Sequence, residues 1–251
     1  MRDDSLIVDG CLMRPASWAG RRINVALIGA GGTGAEVFEG LVRLDMALRA
    51  RGGHGFSMSV FDPGVVREPN IIRQRFWPGE IGQNKAVALT NRTNLLLGTD
   101  YDGVPTAFSL DAYGDRCDLV ITCVDTASAR VTIGAELSGS DWRAGNALWL
   151  DFGNDSAHGQ VVFGKACDGD GETTNVLSLY PEVRTMKDSR TPSCSMAEAI
   201  ASQDVFVNQA VALAGLNTLR ELLFSGKTNK NVVVVSLPDS FMGASEFRPA
   251  A

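Results

Sequence analysis

A run of glycines directly after a buried strand constrains the fold of this chain more than any other feature. Residues 23–28, INVALI, form a continuous apolar segment typical of a strand covered on both faces of a parallel sheet. Gly29-Ala30-Gly31-Gly32-Thr33-Gly34 follows, and apolar residues then recur at helical spacing as far as about Arg49. Glycines permit a tight turn and let an anionic ligand approach free N–H groups at a helix start. The segment therefore predicts a strand, a nucleotide-binding turn and a helix.

A second strand, FSMSVFD (56–62), completes a βαβ unit and ends in Asp62. An acidic side chain at this place can accept hydrogen bonds from ribose hydroxyls. Asp-Pro-Gly is also good turn chemistry, so a purely structural interpretation of Asp62 stays open beside the ribose one. The glycine run could likewise serve helix packing without a ligand, and it does not separate NAD from ATP.

The remaining pattern alternates strands with helices in the first half, whereas strands cluster later. Helices are predicted over 82–97, 126–137 and 195–224, the last with a bend near Gly215, and strands over 118–125, 147–153, 159–164 and 231–238. Residues 63–82 are predicted to form a functional loop and 165–194 to be mostly irregular. The pattern predicts one α/β domain over residues 1–251 with a short N-terminal extension (1–20). Its expected fold is Rossmann-like and doubly wound, with a mainly parallel sheet and an antiparallel C-terminal extension.

Composition excludes several classes of function. A net charge of -6 and a pI near 5.0 argue against binding of nucleic acid. No stretch of about 18 apolar residues exists, so no membrane span is expected, and the N-terminus lacks the apolar core of a secretory signal, which favours the cytoplasm. The five cysteines form no C-x-x-C pair, so neither a structural zinc site nor a disulfide framework is expected.

Two motifs after the second strand favour ATP over NAD. Asn70-Ile71-Ile72-Arg73-Gln74 and Ile81-Gly82-Gln83-Asn84-Lys85-Ala86 resemble the N-x-x-R-Q and I-G-x-x-K-A motifs of the ThiF, MoeB and ubiquitin-activating family. Hydride transfer needs no concentration of positive charge at the phosphates, whereas adenylyl transfer does. Arg73 can fork two phosphate oxygens, and Lys85 supplies a compact charge at a helix start.

The resemblance also implies nucleotide contacts from Asn70 and Gln74. The basic stretch formed by Arg67, Arg73 and Arg75 is interpreted as phosphate-binding. Taken singly, an ordinary loop arginine and an ordinary helix lysine remain the alternatives for Arg73 and Lys85.

Asp125 ends the third strand, in TCVDTASAR (122–130), which resembles the family's strand-end T-D followed by a helix that carries an arginine. With ATP bound, Asp125 is a natural Mg2+ ligand, and a helix N-cap is its structural alternative. Val124 replaces the family's usual Thr, which affects an adenine-side contact. Residues 150–154 and 159–161 resemble the next strand pair and are interpreted as lining a channel for a carrier protein's tail.

Cys194 is the candidate nucleophile. Thr191-Pro192-Ser193-Cys194-Ser195 resembles the P-x-C-T/S context of the thioester-forming cysteine in ubiquitin-activating enzymes. Ser195 and Glu198 have capping-box spacing, which predicts a helix start directly after Cys194. A helix N-terminus lowers the pKa of a nearby thiol, whereas the charge of Glu198 opposes that shift. A small apolar packing residue is the alternative for Cys194, and it is the interpretation of the other cysteines: Cys11, Cys117, Cys123 and Cys167.

The resemblance extends from about Ile23 to Phe224. It implies ATP- and Mg-dependent adenylation of the C-terminal carboxylate of a ubiquitin-like, β-grasp carrier by a symmetric homodimer, with thioester formation on Cys194 as a further step. The segments PSCSMAEAI and QDVFVNQAVA further resemble the ThiF-type proteins of PRTRC gene clusters. The family's R-Y-x-R-Q segment, whose arginine reaches the dimer mate's ATP site, is missing, and Arg14 is its expected substitute.

Two other functions stay open at this point. The glycine run and Asp62 alone also fit a nicotinamide- or flavin-dependent oxidoreductase. A catalytically silent module that only holds a ubiquitin-like tail is the second alternative.

Overall fold

A computed structural model describes residues 6–114, 116–138, 147–169, 172–188 and 204–247. Eight strands form the main sheet: β3 (Ile23–Ile28), β4 (Phe56–Phe61), β5 (Asp102–Val104), β6 (Leu119–Thr122), β7 (Leu148–Asn154), β8 (His158–Lys165), β10 (Lys230–Ser236) and β11 (Phe241–Glu246). A small second sheet contains β1 (Ile7–Val8), β2 (Cys11–Met13) and β9 (Lys227–Thr228). The predicted N-terminal extension thus contributes two strands, β1 and β2, to this second sheet, and β9 is its third strand.

Seven α-helices connect or cover these strands within the described ranges: α1 (Gly32–Ala50), α2 (Asn70–Arg73), α3 (Lys85–Leu97), α4 (Leu110–Tyr113), α5 (Ala127–Leu137), α6 (Val176–Leu179) and α7 (Val207–Ser225). Short 3-10 helices lie at Ala16–Trp18, Pro78–Glu80 and Pro181–Arg184. No helix in this part of the chain has the length and apolarity that a membrane crossing requires.

The main sheet confirms the predicted fold class. Its order is β11-β10-β8-β7-β6-β3-β4-β5, with the five strands from β7 to β5 parallel and β8, β10 and β11 added antiparallel. The chain therefore winds outward from β3 in both directions. In such a sheet the crevice at the carboxyl ends of the strands, where the winding direction reverses, is the natural ligand site.

Strand β3 shows why its sequence is apolar throughout. Val25 and Leu27 are buried in the core on one face of the sheet, whereas Ala26 and Ile28 are buried in the core on the other. Successive side chains of a strand point to opposite faces, so a strand covered on both sides needs apolar residues at every position.

Helix α7 packs tightly against both the sheet and α1. A methyl group on Gly215 would lie 2.3 Å from the ring of Phe152, and one on Gly40 would lie 2.1 Å from Leu216. Gly215 therefore serves close packing, and α7 continues through it as one helix, while the predicted bend stays a prediction. Residues 195–203 of the predicted 195–224 helix, and Cys194 before them, lie outside the described residues; residues 204–206 are described and are not helical.

Several boundaries differ from the prediction. The helix expected over 82–97 begins at Lys85, because Asn84 caps it by accepting from the Val87 N–H and Gly82 adopts a φ of 88°. The loop expected over 63–82 contains α2 and a 3-10 turn. Strands β5 and β11 were not predicted.

Candidate nucleotide-binding site

The glycine turn between β3 and α1 requires glycine at two positions. Gly29 has a φ of 93°, and a methyl group there would lie 2.6 Å from the carbonyl oxygen of Cys123. A methyl group on Gly34 would lie 1.9 Å from the carbonyl oxygen of Gly29. Gly31, in contrast, has no neighbour within 4 Å of such a group, so its backbone faces open space that a ligand can enter.

This turn borders a cleft of about 1630 Å³ at the carboxyl ends of the parallel strands. The cleft brings together the predicted nucleotide-binding and metal-binding residues, which line it as follows: Gly29, Gly31, Gly32, Asp62, Asn70, Arg73, Gln74, Lys85 and Asp125. Gly34 is the exception, since it packs beneath the turn. Residues predicted separately between Gly29 and Asp125 thus share one surface.

The Asp62 carboxylate ties the glycine turn to the loop after β4. One oxygen accepts the Ala30 N–H at 2.7 Å and the other accepts the Gly64 N–H at 2.6 Å. The structural interpretation of Asp62 is therefore correct. Each carboxylate oxygen has a second lone pair, so the ribose contact stays a prediction beside it.

Lys85 places an ammonium group in this cleft from the first turn of α3. The residue is partly buried, and its ammonium group makes no hydrogen bond or ion pair with any described residue. Burial lowers the pKa of Lys85; Asp62 and Asp125 oppose this effect, and the neighbouring cations Arg67 and Arg73 add to it. A desolvated cation among other cations favours an anionic ligand.

The arginines predicted to bind phosphate divide into two groups. Arg67 and Arg73 line the cleft. Arg75 does not, because its guanidinium turns to α1 and pairs with Glu36 at 3.3 Å and with Glu39 at 4.0 Å. The interpretation of Arg75 as a phosphate ligand is therefore wrong; its ion pairs instead hold the loop after α2 against α1.

The two polar side chains beside Arg73 have different surroundings. The Asn70 side-chain oxygen accepts the Arg67 backbone N–H at 2.8 Å and so shapes the loop. The Gln74 side-chain oxygen is buried and has no hydrogen-bond partner among the described residues. A buried acceptor without a donor carries a cost that a ligand N–H or O–H would remove.

Asp125 is exposed to the cleft and makes no hydrogen bond or ion pair within the described ranges. It lies just beyond the end of β6. The N-cap of α5 is Thr126, whose hydroxyl accepts the Ala129 N–H at 3.3 Å, so the helix-cap alternative for Asp125 is wrong. The carboxylate oxygens are therefore available to a cation.

Within the described ranges, no three His, Cys, Asp or Glu side chains gather into a metal-binding group. The residues nevertheless fit a magnesium ion, because the Asp125 carboxylate is a hard oxygen ligand without a protein partner, and Mg2+ is commonly held by one or two carboxylates together with nucleotide phosphates and water. Magnesium, and the expected lack of zinc, stay predictions.

The sequence model of the ThiF family matches residues 19–242. This chain belongs to the ThiF family. Among solved structures it is similar to PaaA, with 15% identity and a TM-score of 0.61, and to Escherichia coli MccB with ATP, with 13% identity and a TM-score of 0.58. Each likeness covers 90% of this chain and 64% of the other, and at such identities it shows the fold alone. No curated protein sequence matches this chain.

Family membership confirms the resemblance seen in the motifs, whereas the PRTRC subgroup stays a prediction. A structure of MccB crystallised with AMPCPP and MccA is also similar, with 12% identity and a TM-score of 0.57.

An ionic network in the wall of the cleft of this ThiF-family chain was not recognised in the sequence. The Asp151 carboxylate accepts the Arg130 Nε–H at 3.0 Å and the Thr122 hydroxyl at 2.5 Å, and the Trp149 indole donates to that hydroxyl at 2.8 Å. Arg130 also donates to the Phe152 carbonyl oxygen at 2.8 Å. An aspartate inside an apolar strand is the signal that could have revealed it, since a buried carboxylate needs such partners.

The cysteines of the described ranges give no sign of a nucleophile in the cleft. Burial raises the pKa of Cys117 to about 12, and it raises the pKa of Cys123, which lines the cleft, well above the ordinary value. Such thiols are inert because the thiolate is the reactive form. Cys167 is exposed, so its interpretation as a packing residue is wrong.

Arg14 lies at the opposite end of the ThiF domain from the cleft of its own chain. Its guanidinium donates to the Leu223 carbonyl oxygen at 2.8 Å, near the end of α7. It borders a small cavity with Ile23 and Gly55, at the amino ends of the strands. A role across a dimer stays a prediction.

Proposed function

We propose that this chain binds ATP in the cleft and adenylates the C-terminal carboxylate of a small ubiquitin-like carrier protein. One observation carries the proposal. The open backbone at Gly31, the unpaired Lys85 ammonium, Arg73 and the unpaired Asp125 carboxylate share one cleft in a ThiF-family chain. These groups supply a phosphate cradle, two cations and a ligand for a cation.

The chemistry follows from these charges. A carboxylate oxygen of the carrier attacks the α-phosphorus of ATP and forms a new P–O bond, while the bond from that phosphorus to the oxygen bridging the β-phosphate breaks. Pyrophosphate leaves with its electron pair, and an acyl-adenylate remains. Lys85 and Arg73 stabilise the negative charge that develops on the transferring and departing phosphates. A magnesium ion held by Asp125 would supply further positive charge to the phosphates.

The size of the cleft supports a second, larger substrate. Small-molecule sites commonly occupy about 300–1,000 Å³, whereas this cleft measures about 1630 Å³. It continues past the nucleotide end along Gly153, Gln160, Val235 and Phe241, at the junction with the antiparallel strands. This extension has room for the extended tail of a carrier, as interpreted for residues 150–154 and 159–161. MccB, which has a similar fold, was crystallised with AMPCPP and MccA together, which supports the proposal that a nucleotide and a second molecule bind at the same time.

The later step is proposed from the sequence. The Cys194 thiolate attacks the acyl carbon of the adenylate, AMP leaves, and a thioester forms. The carrier is proposed to be encoded beside this gene, as in PRTRC clusters, and the active form to be a homodimer to which Arg14 contributes from one subunit to the other.

An ATP–pyrophosphate exchange assay tests adenylation. Small β-grasp proteins encoded nearby are supplied one at a time with ATP and magnesium, and we expect exchange with one of them that Lys85→Met abolishes. ATP binding without exchange for any candidate would contradict adenylation and favour a silent binding module. Failure to bind ATP, together with nicotinamide or flavin absorbance of the purified protein, would favour an oxidoreductase.

A gel assay tests the thioester separately. After incubation with the carrier and ATP, wild type should show an adduct that a thiol reductant removes. Cys194→Ala should abolish that adduct and keep pyrophosphate exchange, whereas Cys167→Ala, a change at another cysteine, should retain both. A reducible adduct that persists in Cys194→Ala would overturn the thioester step.

A further inference from the structure

One buried amide connects three separate walls of the cleft. Asn208, the second residue of α7, is 4% exposed. Its side-chain oxygen accepts the Thr33 hydroxyl at 3.0 Å and the Asn154 amide at 3.2 Å, and its nitrogen donates to the Arg73 carbonyl oxygen at 3.3 Å. The glycine turn, the end of β7 and the end of α2 thus meet at a single side chain.

The contact with the glycine turn is close as well as polar. A methyl group on Gly32 would lie 2.5 Å from the Asn208 side-chain nitrogen, so the amide packs directly against the backbone of the turn. Helix α7 itself has little freedom to move, because Val211 on its next turn would lie 2.3 Å from a methyl group on Gly159. A fixed helix therefore presents a fixed amide to the turn.

The chemistry of the amide suits this role better than any apolar or charged side chain. It has an oxygen that accepts two hydrogen bonds and a nitrogen that donates to a carbonyl. An aspartate could not donate to the Arg73 carbonyl and would place negative charge beside the phosphates, and a leucine could make none of these contacts. Buried networks of this kind hold a unique geometry when each member is satisfied.

We infer that Asn208 is a positioning residue that holds the glycine turn and Arg73 at a fixed separation, so that the phosphates bound by the turn lie within reach of the Arg73 guanidinium. The hydrogen bonds of its side chain are all to protein groups. The catalytic test of this inference rests on the proposed function. Asn208 connects the start of α7 to the nucleotide site through hydrogen bonds rather than through the strands.

The test compares Asn208→Leu with Thr218→Val, which removes a buried hydroxyl from the same helix away from the cleft, where it donates to the Ala214 carbonyl oxygen. Calorimetric titration with ATP and magnesium should show binding about ten-fold weaker in Asn208→Leu, the loss expected for about one good hydrogen bond, and unchanged binding in Thr218→Val. Thr33→Val removes one of the same hydrogen bonds from the other side and should weaken binding in the same direction. It serves as the second variant if Asn208→Leu does not fold.

A double-mutant cycle separates positioning from mere structural support. In pyrophosphate exchange, Asn208→Leu should lower kcat in wild type but have little further effect in an Arg73→Ala background, because the group it positions is already missing. Equal effects in both backgrounds, or ATP affinity equal to wild type in both Asn208→Leu and Thr33→Val, would overturn the inference. Wild type that binds no ATP would instead contradict the proposed function, and the two failures are thereby distinguished.

Discussion

The two ends of the main sheet differ in how charged side chains are paired. At the amino ends of the strands, Asp118 has a 1% exposed side chain, accepts two N–H groups of Arg21 at 2.6 and 2.7 Å, and also accepts the Asn24 backbone N–H. At the carboxyl ends, Lys85 and Asp125 have no such partners within the described residues. A buried charge with partners is tolerated within a fold, whereas a charge without them leaves interactions for a ligand.

Pairing is therefore a better guide to function here than charge alone. Arg130 and Asp151 also line the cleft at the carboxyl end, but they are bound to each other at 3.0 Å. They belong with the structural group, like Arg21 and Asp118. Lys85 and Asp125 remain unpaired, and a bound nucleotide with its metal would supply their partners. Keeping these charges unpaired lowers the stability of the fold, which is the usual cost of a functional site.

The largest expected effect is at Lys85. Lys85→Met removes the cation that would stabilise the departing pyrophosphate, and we expect kcat/KM for exchange to fall by about 10³-fold. Because burial already lowers the pKa of Lys85, charging it costs free energy, so the thermal unfolding temperature of Lys85→Met without nucleotide should rise above that of wild type.

Lys165→Met serves as the control, since Lys165 is paired with Glu172. Exchange should survive in that control. Intact exchange in Lys85→Met, or a lower unfolding temperature, would contradict the functional assignment of Lys85.

Asp118 should show the opposite behaviour. Asp118→Ala removes the carboxylate to which Arg21 donates and leaves the Asn24 N–H without its side-chain acceptor, so the free energy of unfolding should fall by about 3 kcal/mol. The fraction that remains folded should keep the ATP affinity of wild type. Urea unfolding followed by circular dichroism measures the first quantity. A selective loss of ATP affinity with unchanged stability would mean that the amino end of the sheet, rather than the carboxyl end, takes part in ATP binding.

Asp125 and its neighbour Thr126 provide a matched pair on consecutive residues. Asp125→Asn removes the proposed magnesium ligand and should lower exchange by about 10²-fold, with no loss of stability since this carboxylate does not cap α5. Thr126→Ala removes the cap and should cost about 1 kcal/mol of stability with exchange retained. Equal destabilisation by both changes would show that Asp125 also supports the helix.

Local signals account for the parts of the fold and site that the sequence predicted. The apolar run of β3 indicates burial on both faces of the sheet, and Gly29 and Gly34 indicate a turn without room for side chains. Asp62 and Asp125 followed from their places after predicted strands, and the motifs around Arg73 and Lys85 placed the cations. Family membership confirms what those motifs resemble.

Contacts between distant segments account for what was missed. Arg75 looks like a phosphate ligand in its own segment, and only folding brings Glu36 beside it. Asn208 reaches Thr33 across 175 positions of sequence, and no local pattern encodes that contact. Strand β11 is an exposed edge with a weak apolar alternation, so its strand character comes from pairing with β10.

The smallest expected effect is at the exposed pair of Arg22 and Asp100, at the amino ends. Hydrogen bonding to Arg22 lowers the pKa of Asp100 below its ordinary value, although 69% of the Asp100 side chain is exposed. Since the folded pKa is the lower one, the pair's stabilisation is present above the unfolded pKa of about 3.9 and is lost as pH falls through the folded pKa. Asp100→Asn should therefore cost less than about 1 kcal/mol at neutral pH because solvent screens the pair. Its difference from wild type should vanish in acid and shrink in about 1 M salt. A difference that persisted under both conditions would mean that Asp100 acts through its packing, and the pair would no longer count among the charges that stabilise this end of the sheet.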